Sequence, residues 1–71
     1  MTELKNVLIQ IADCFYQERN EDGITLFLKK AAEIGQIPMF QKQIQSLFDA
    51  LERKDYILAA DILQHEMAEQ I

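Results

Sequence analysis

Apolar residues recur along this chain at steps of three and four, the spacing that places side chains on one face of an α-helix. Clusters of turn-forming residues interrupt the pattern at three places, so the pattern predicts four helical segments. The first segment covers about residues 2–19, and its predicted core face holds Leu4, Val7, Leu8, Ile11 and Phe15.

The first two interruptions carry residues that begin and end helices. Asn20 or Asp22 can cap a second helix that runs to about Ile34. Gly35 stands where a helix C-terminus favours a left-handed residue, and Pro38 suits the first position of a third helix. The inner side of the second helix is predicted to hold Ile24, Phe27, Leu28 and Ala31.

The second half of the chain shows the same periodicity. Asp55 follows the third interruption and can cap a fourth helix that continues to the end of the chain. The predicted inner face of the third helix holds Ile37, Phe40, Ile44, Leu47 and Leu51, with Phe48 beside them. That of the fourth helix holds Tyr56, Ala60, Leu63, Met67 and Ile71.

Short connections between these segments indicate that neighbouring helices run antiparallel. We therefore predict an all-α fold, a single domain over residues 1–71 that forms an up-and-down antiparallel bundle of three to four helices. The lower number applies if the third and fourth helices are continuous. A second interpretation is an isolated pair of tetratricopeptide-like hairpins, because Glu18 and Arg19 recur as Glu52 and Arg53 after 34 residues.

The size of the chain makes its stability marginal. A domain of 71 residues and 8.3 kDa hides only about 60% of its unfolded surface. The single cysteine, Cys14, excludes an internal disulfide. Small domains without such a crosslink gain stability from a partner subunit or from very regular helix packing, so we expect a homodimer or a complex with another protein.

The charge balance restricts the class of partner. Twelve acidic against seven basic residues give a net charge of −5, which argues against a nucleic-acid partner and against an anionic membrane surface. The N-terminal segment has an acid at Glu3 and a helical period, unlike a signal peptide. We therefore expect a cytoplasmic protein.

Reactive side chains are few, with one histidine and one cysteine. A Cys14 and His65 dyad would need a third group to orient the imidazole, and Cys14 flanks an apolar stripe that favours a structural role. Asp61, His65 and Glu69 recur every four residues and could offer metal ligands, but this side of the helix lies opposite the apolar stripe and is predicted to be solvated. We expect no enzyme, no metal and no cofactor.

Apolar residues outside the stripes indicate either a wider buried arc or a contact with a partner. Leu58 and Ile62 form such a pair on the fourth helix, and Ile9 and Tyr16 lie off the stripe of the first. We predict an interaction or adaptor module that uses Leu58 and Ile62 as its interface, with Ile9 and Tyr16 as the second choice. The alternative is a chaperone-like or antitoxin-like helical binder of another protein.

Two stretches resemble a family of small all-helical proteins of Gram-positive bacteria. Residues 50–67, ALERKDYILAADILQHEM, are similar to its final hairpin, in which K-D-Y is followed by L-A-D-L-L-E-Y-E-L. Residues 12–27, ADCFYQERNEDGITLF, are similar to its first turn. Arg19 departs from the family's glycine, and Gln64 and His65 replace its acid and aromatic residue. The resemblance implies a bacterial helical bundle without enzymatic activity and supplies no ligand.

Overall fold

A computed structural model describes residues 2–71, which form helices and contain no strand. The four helices are α1 (Thr2–Tyr16), α2 (Asn20–Gly35), α3 (Gln41–Glu52) and α4 (Tyr56–Asp61). A 3₁₀ turn, Pro38–Phe40, leads into α3. Beyond α4 the chain continues as a π-helical segment, Ile62–Met67, and a 3₁₀ turn, Ala68–Gln70. The predicted all-helical bundle is confirmed, and α3 and α4 are separate helices.

The helices enclose one apolar core. α1 packs against both α2 and α4, whereas α3 packs against α4 and the π-helical segment. No polar or charged side chain of the described residues is buried. The largest fully buried side chains come from α1, α2, α3, the 3₁₀ turn before α3 and the π-helical segment: Leu8, Ile11, Phe15, Phe27, Ile34, Phe40, Leu47, Ile62, Leu63 and Met67.

The predicted inner faces are only partly correct. Leu28 was expected to point inwards but is 62% exposed, and Phe48 is 50% exposed. Ile62 was expected at an interface but is only 2% exposed. The reason is that the chain after α4 packs against α1 on one side and α3 on the other, so its buried arc is wider than one stripe.

The two hairpin turns, which connect α1 to α2 and α3 to α4, each contain a non-glycine residue in the left-handed conformation. Glu18 has φ 63° and Lys54 has φ 60°. In each turn the next amide bonds back to a carbonyl five residues earlier, Arg19 to Cys14 at 2.7 Å and Asp55 to Ala50 at 2.8 Å. Together with the bonds from the Glu18 and Lys54 amides to carbonyls three residues earlier, these are Schellman motifs, in which glycine is the favoured residue.

Two expectations about helix ends are wrong and two are confirmed. Gly35 lies inside α2, and no glycine has a positive φ among the described residues. No side chain caps α2, since Asn20 and Asp22 lie within the helix. Asp55 does cap α4, because its carboxylate accepts the Leu58 amide at 3.2 Å. Pro38 opens the 3₁₀ turn before α3.

The two hairpin turns do not match the 34-residue echo of the sequence. Their equivalent left-handed residues are Glu18 and Lys54, which are 36 residues apart. The repeated Glu-Arg pair therefore does not mark structurally equivalent positions. The 34-residue echo therefore lends no structural support to the tetratricopeptide interpretation.

We expect glycine at either left-handed position to stabilise the fold. Glu18→Gly and Lys54→Gly each remove the steric cost of a side chain in this conformation, about 1 kcal/mol. For a domain of this size the melting temperature should rise by about 4–8 °C per kcal/mol. Gln45→Gly, at an exposed position inside α3, is the control and should lower it. An unchanged or lower melting temperature for both turn variants would contradict the left-handed assignment.

The two glycines should respond in opposite ways to alanine. A Cβ at Gly23 would lie 2.9 Å from Cε1 of the buried Phe15 ring, whereas a Cβ at Gly35 would meet nothing within 4 Å. Gly23→Ala should therefore lower the free energy of unfolding by about 1–3 kcal/mol through overpacking. Gly35→Ala should raise it by about 0.5–1 kcal/mol, since alanine favours the helix. Denaturant unfolding of both variants measures the two effects, and equal signs would refute this packing.

Candidate functional site

The four residues predicted as an interface lie in different environments. Leu58 is 41% and Tyr16 is 36% exposed, so both remain accessible. Ile9 is half-buried and packs against the core. Ile62 belongs to the core itself. The structure therefore leaves Leu58 and Tyr16 available for contact and removes Ile62.

Tyr16 is held by a hydrogen bond between two helices. Its hydroxyl on α1 donates to the Asp61 carboxylate at the end of α4. This bond stabilises the protonated phenol, and partial burial and the negative charge of Asp61 act in the same direction. Together they raise the pKa of Tyr16 to about 12. The contact joins the two helices rather than preparing a reactive group.

The suggested metal ligands Asp61, His65 and Glu69 make other contacts. Asp61 accepts the Tyr16 hydroxyl, while His65 Nδ1 lies 3.7 Å from Glu69 Oε1 on an exposed surface. Within residues 2–71, no group of three His, Cys, Asp or Glu side chains is placed to hold a metal ion. Cys14 lines a depression of about 330 Å³ between α1 and α2, together with Gln10, Asp13, Gln17, Arg19 and Leu26. His65 does not line this depression.

An apolar surface lies instead on α2 and α3. These helices approach each other much less closely than α1 and α2 do. The space between them is bridged by Phe27 and Phe48, whose ring centroids are 5.7 Å apart with an angle of 69° between the planes. Phe48 is nevertheless half exposed. We define the α2–α3 face by six residues: Ile24, Leu28, Ala31, Ile44, Phe48 and Leu51.

The opposite side of α2 shows why Leu28 belongs to this face. Leu26, Lys30 and Glu33 line depressions shared with α1. Leu28 is two residues from both Leu26 and Lys30, so at about 100° per residue it points away from α1. Leu28 is also the most exposed large apolar side chain among the described residues.

Each of the two helices carries a pair of consecutive apolar residues at this face. Phe27 and Leu28 are consecutive, as are Leu47 and Phe48. Consecutive side chains on a helix point about 100° apart, so both members of such a pair cannot face one narrow core. Phe27 and Leu47 are buried while Leu28 and Phe48 are exposed. In the segment after α4, by contrast, the consecutive residues Ile62 and Leu63 are both buried, because that segment packs against α1 and α3.

Comparison of this chain with protein families, with curated proteins and with solved structures finds no match. Helix length and hydropathy show whether any helix could cross a membrane. Across residues 2–71, no helix is both long and apolar enough to cross a bilayer.

The Tyr16 bond predicts a change in stability at alkaline pH. The pKa of Tyr16 is about 12 in the folded chain and about 10 in an unfolded one. The stabilisation is therefore complete below pH 10 and disappears as the pH rises through 12. Asp61→Asn should lower the pKa of Tyr16 towards 10, as followed by tyrosinate absorbance, and Tyr16→Phe identifies the Tyr56 signal. If Asp61→Asn leaves both tyrosine titrations unchanged, the hydrogen bond is absent.

Proposed function

We propose that this chain is a non-enzymatic protein-interaction module of the cytoplasm that binds through the α2–α3 face. The observation that supports it is the exposure of Leu28 and Phe48, at 62% and 50%, on neighbouring helices around the Phe27–Phe48 contact. Single exposed apolar residues are common on protein surfaces, whereas grouped ones mark contact sites. The half-buried Ile24 and Ile44 extend the group along both helices.

Burial of this face would also benefit a chain of this size. Apolar surface removed from water contributes about 25 cal/mol per Å², and a fully buried leucine or phenylalanine about 1.5–3 kcal/mol. The stability of a small domain is of the order of a few kcal/mol. Covering Leu28 and Phe48 would therefore add a large fraction to the stability of the folded state, since a partner that binds only the folded chain stabilises it.

Self-association is the form of this function that requires no other molecule. Without a partner, copies of the chain should meet through their apolar surfaces at high concentration. Two surfaces can serve: the α2–α3 face and the one that contains Leu58, where the neighbouring Ile57 is 53% exposed. We place the contact on the α2–α3 face, because two helices and a bridging aromatic pair contribute to it.

Sedimentation of the wild type should show a reversible increase in average mass between about 10 µM and about 1 mM, the range of weak interfaces. Leu28→Glu with Phe48→Glu should abolish the increase, since it places two charges on the α2–α3 face. Ile57→Glu with Leu58→Glu is the matched control and should leave the increase in place. Helical circular dichroism verifies that both variants fold.

If Ile57→Glu with Leu58→Glu abolishes the increase and Leu28→Glu with Phe48→Glu does not, the contact lies on the Leu58 surface predicted from the sequence. A strictly monomeric wild type would exclude self-association and restrict the function to other proteins. A chain that neither associates nor binds the peptides described below would contradict the proposed function.

A further inference from the structure

The α2–α3 face is bordered by carboxylates at one end only. On α2, the exposed residues one or two turns from Leu28 are Glu21, Thr25, Ala32 and Gly35. On α3, those one or two turns from Phe48 are Gln41, Gln45 and Glu52. The border of the face therefore holds two carboxylates and no lysine or arginine. Glu21 lies in the first turn of α2 and Glu52 ends α3.

Both carboxylates lie at the same end of the bundle. The two hairpin turns that adjoin them share a depression of about 220 Å³, lined by Glu18 and Lys54 among others. Residues 18–22 and 49–55 together hold six carboxylates against three cations. Two of these cations are already paired, Arg19 with Asp22 at 3.1 Å and Arg53 with Asp49 at 3.2 Å.

The other end of the face has the opposite character. Residues 35–42, from the end of α2 into the first turn of α3, contain no carboxylate and one cation, Lys42. Met39 in this stretch is 43% exposed. The face therefore changes along its length from an apolar end with one lysine to an acidic end.

The dimensions of the face match one helix better than a second copy of the chain. The whole molecule measures 27 × 21 × 20 Å. The α3 helix, with 12 residues, is about 18 Å long, and two helices side by side are about 20 Å wide. This footprint of about 400 Å² is below the roughly 800 Å² per partner of stable interfaces, but it accommodates a single helix about 10 Å in diameter.

We propose that the α2–α3 face binds one amphipathic helix of another protein, with lysine or arginine at the end of that helix that lies over the two hairpin turns. This inference rests on the proposed function and names its partner. Apolar side chains of the bound helix, spaced three and four residues apart, would contact Leu28 and Phe48. Its cations would face Glu21 and Glu52. The net charge of −5 would attract a basic segment and would keep self-association through this face weak.

The test uses a labelled synthetic peptide of about 18 residues, built from leucine, alanine and glutamine, with leucines on one helical face and lysines in its last turn. One matched peptide has glutamine in place of the lysines, and another has the leucines distributed around the helix. Fluorescence anisotropy with the full-length chain at about 50 mM salt measures binding, where exposed charges are weakly screened.

We expect the lysine peptide to bind about tenfold more tightly than the glutamine peptide, the effect of two exposed charge contacts. The peptide with distributed leucines should not bind. Glu21→Gln with Glu52→Gln should remove the tenfold preference. Glu33→Gln with Glu66→Gln removes the same net charge from exposed positions elsewhere and should keep most of it. Leu28→Glu with Phe48→Glu should abolish binding of both peptides.

The alternative outcomes separate this inference from the proposed function. Equal binding of the lysine and glutamine peptides overturns the basic partner and leaves the interaction face in place. If no peptide binds but the wild type associates through the α2–α3 face, the occupant is a second copy and this inference is overturned alone. If the chain shows neither behaviour, both are overturned.

Discussion

The packing of Phe15 is the contact on which this fold depends. Its ring is 1% exposed and lies on α1, the helix that packs against both α2 and α4. On one side it occupies the space that a side chain at Gly23 of α2 would need. On another it stacks on Tyr56 of α4, with ring centroids 5.7 Å apart. One aromatic side chain thus joins α1, α2 and α4. The two hairpin turns, which lie next to these contacts, are therefore close together.

This arrangement leaves α2 and α3 as the outer pair. α2 is attached mainly through α1, and α3 mainly through α4 and the segment after it. The contact between Phe27 and Phe48 is then a bridge between two helices that are each held elsewhere. Because neither helix needs the other for its attachment, apolar residues between them can stay exposed without opening the core. Stability and the proposed recognition therefore reside in different pairs of helices.

Periodicity predicted the helices because burial on one face requires it, but it could not assign every face. A stripe does not show how many neighbours a helix has. The sequence therefore predicts Ile62 at the surface, although α1 and α3 both pack against its segment and bury it, and predicts Leu28 in the core, although it is exposed. Glycine signals failed for a related reason. The left-handed residues are Glu18 and Lys54. The backbone hydrogen bonds that close each turn require the left-handed conformation, and tertiary packing can impose that conformation on a residue other than glycine. Gly23 instead provides room for Phe15, which only the tertiary structure reveals.

The candidate site can be predicted only in part from the sequence. Of the apolar residues predicted outside the stripes, Leu58 and Tyr16 are exposed and Ile62 is buried, and the Tyr16 hydroxyl donates to Asp61. The stripes predict Leu28 on the inner side of α2 and Phe48 beside the inner face of α3, whereas both are exposed. Whether such a flanking residue is covered depends on the distance between two helices, which composition and spacing do not encode. Helix spacing therefore determines the candidate surface here, and the carboxylates at the hairpin end give that surface a direction.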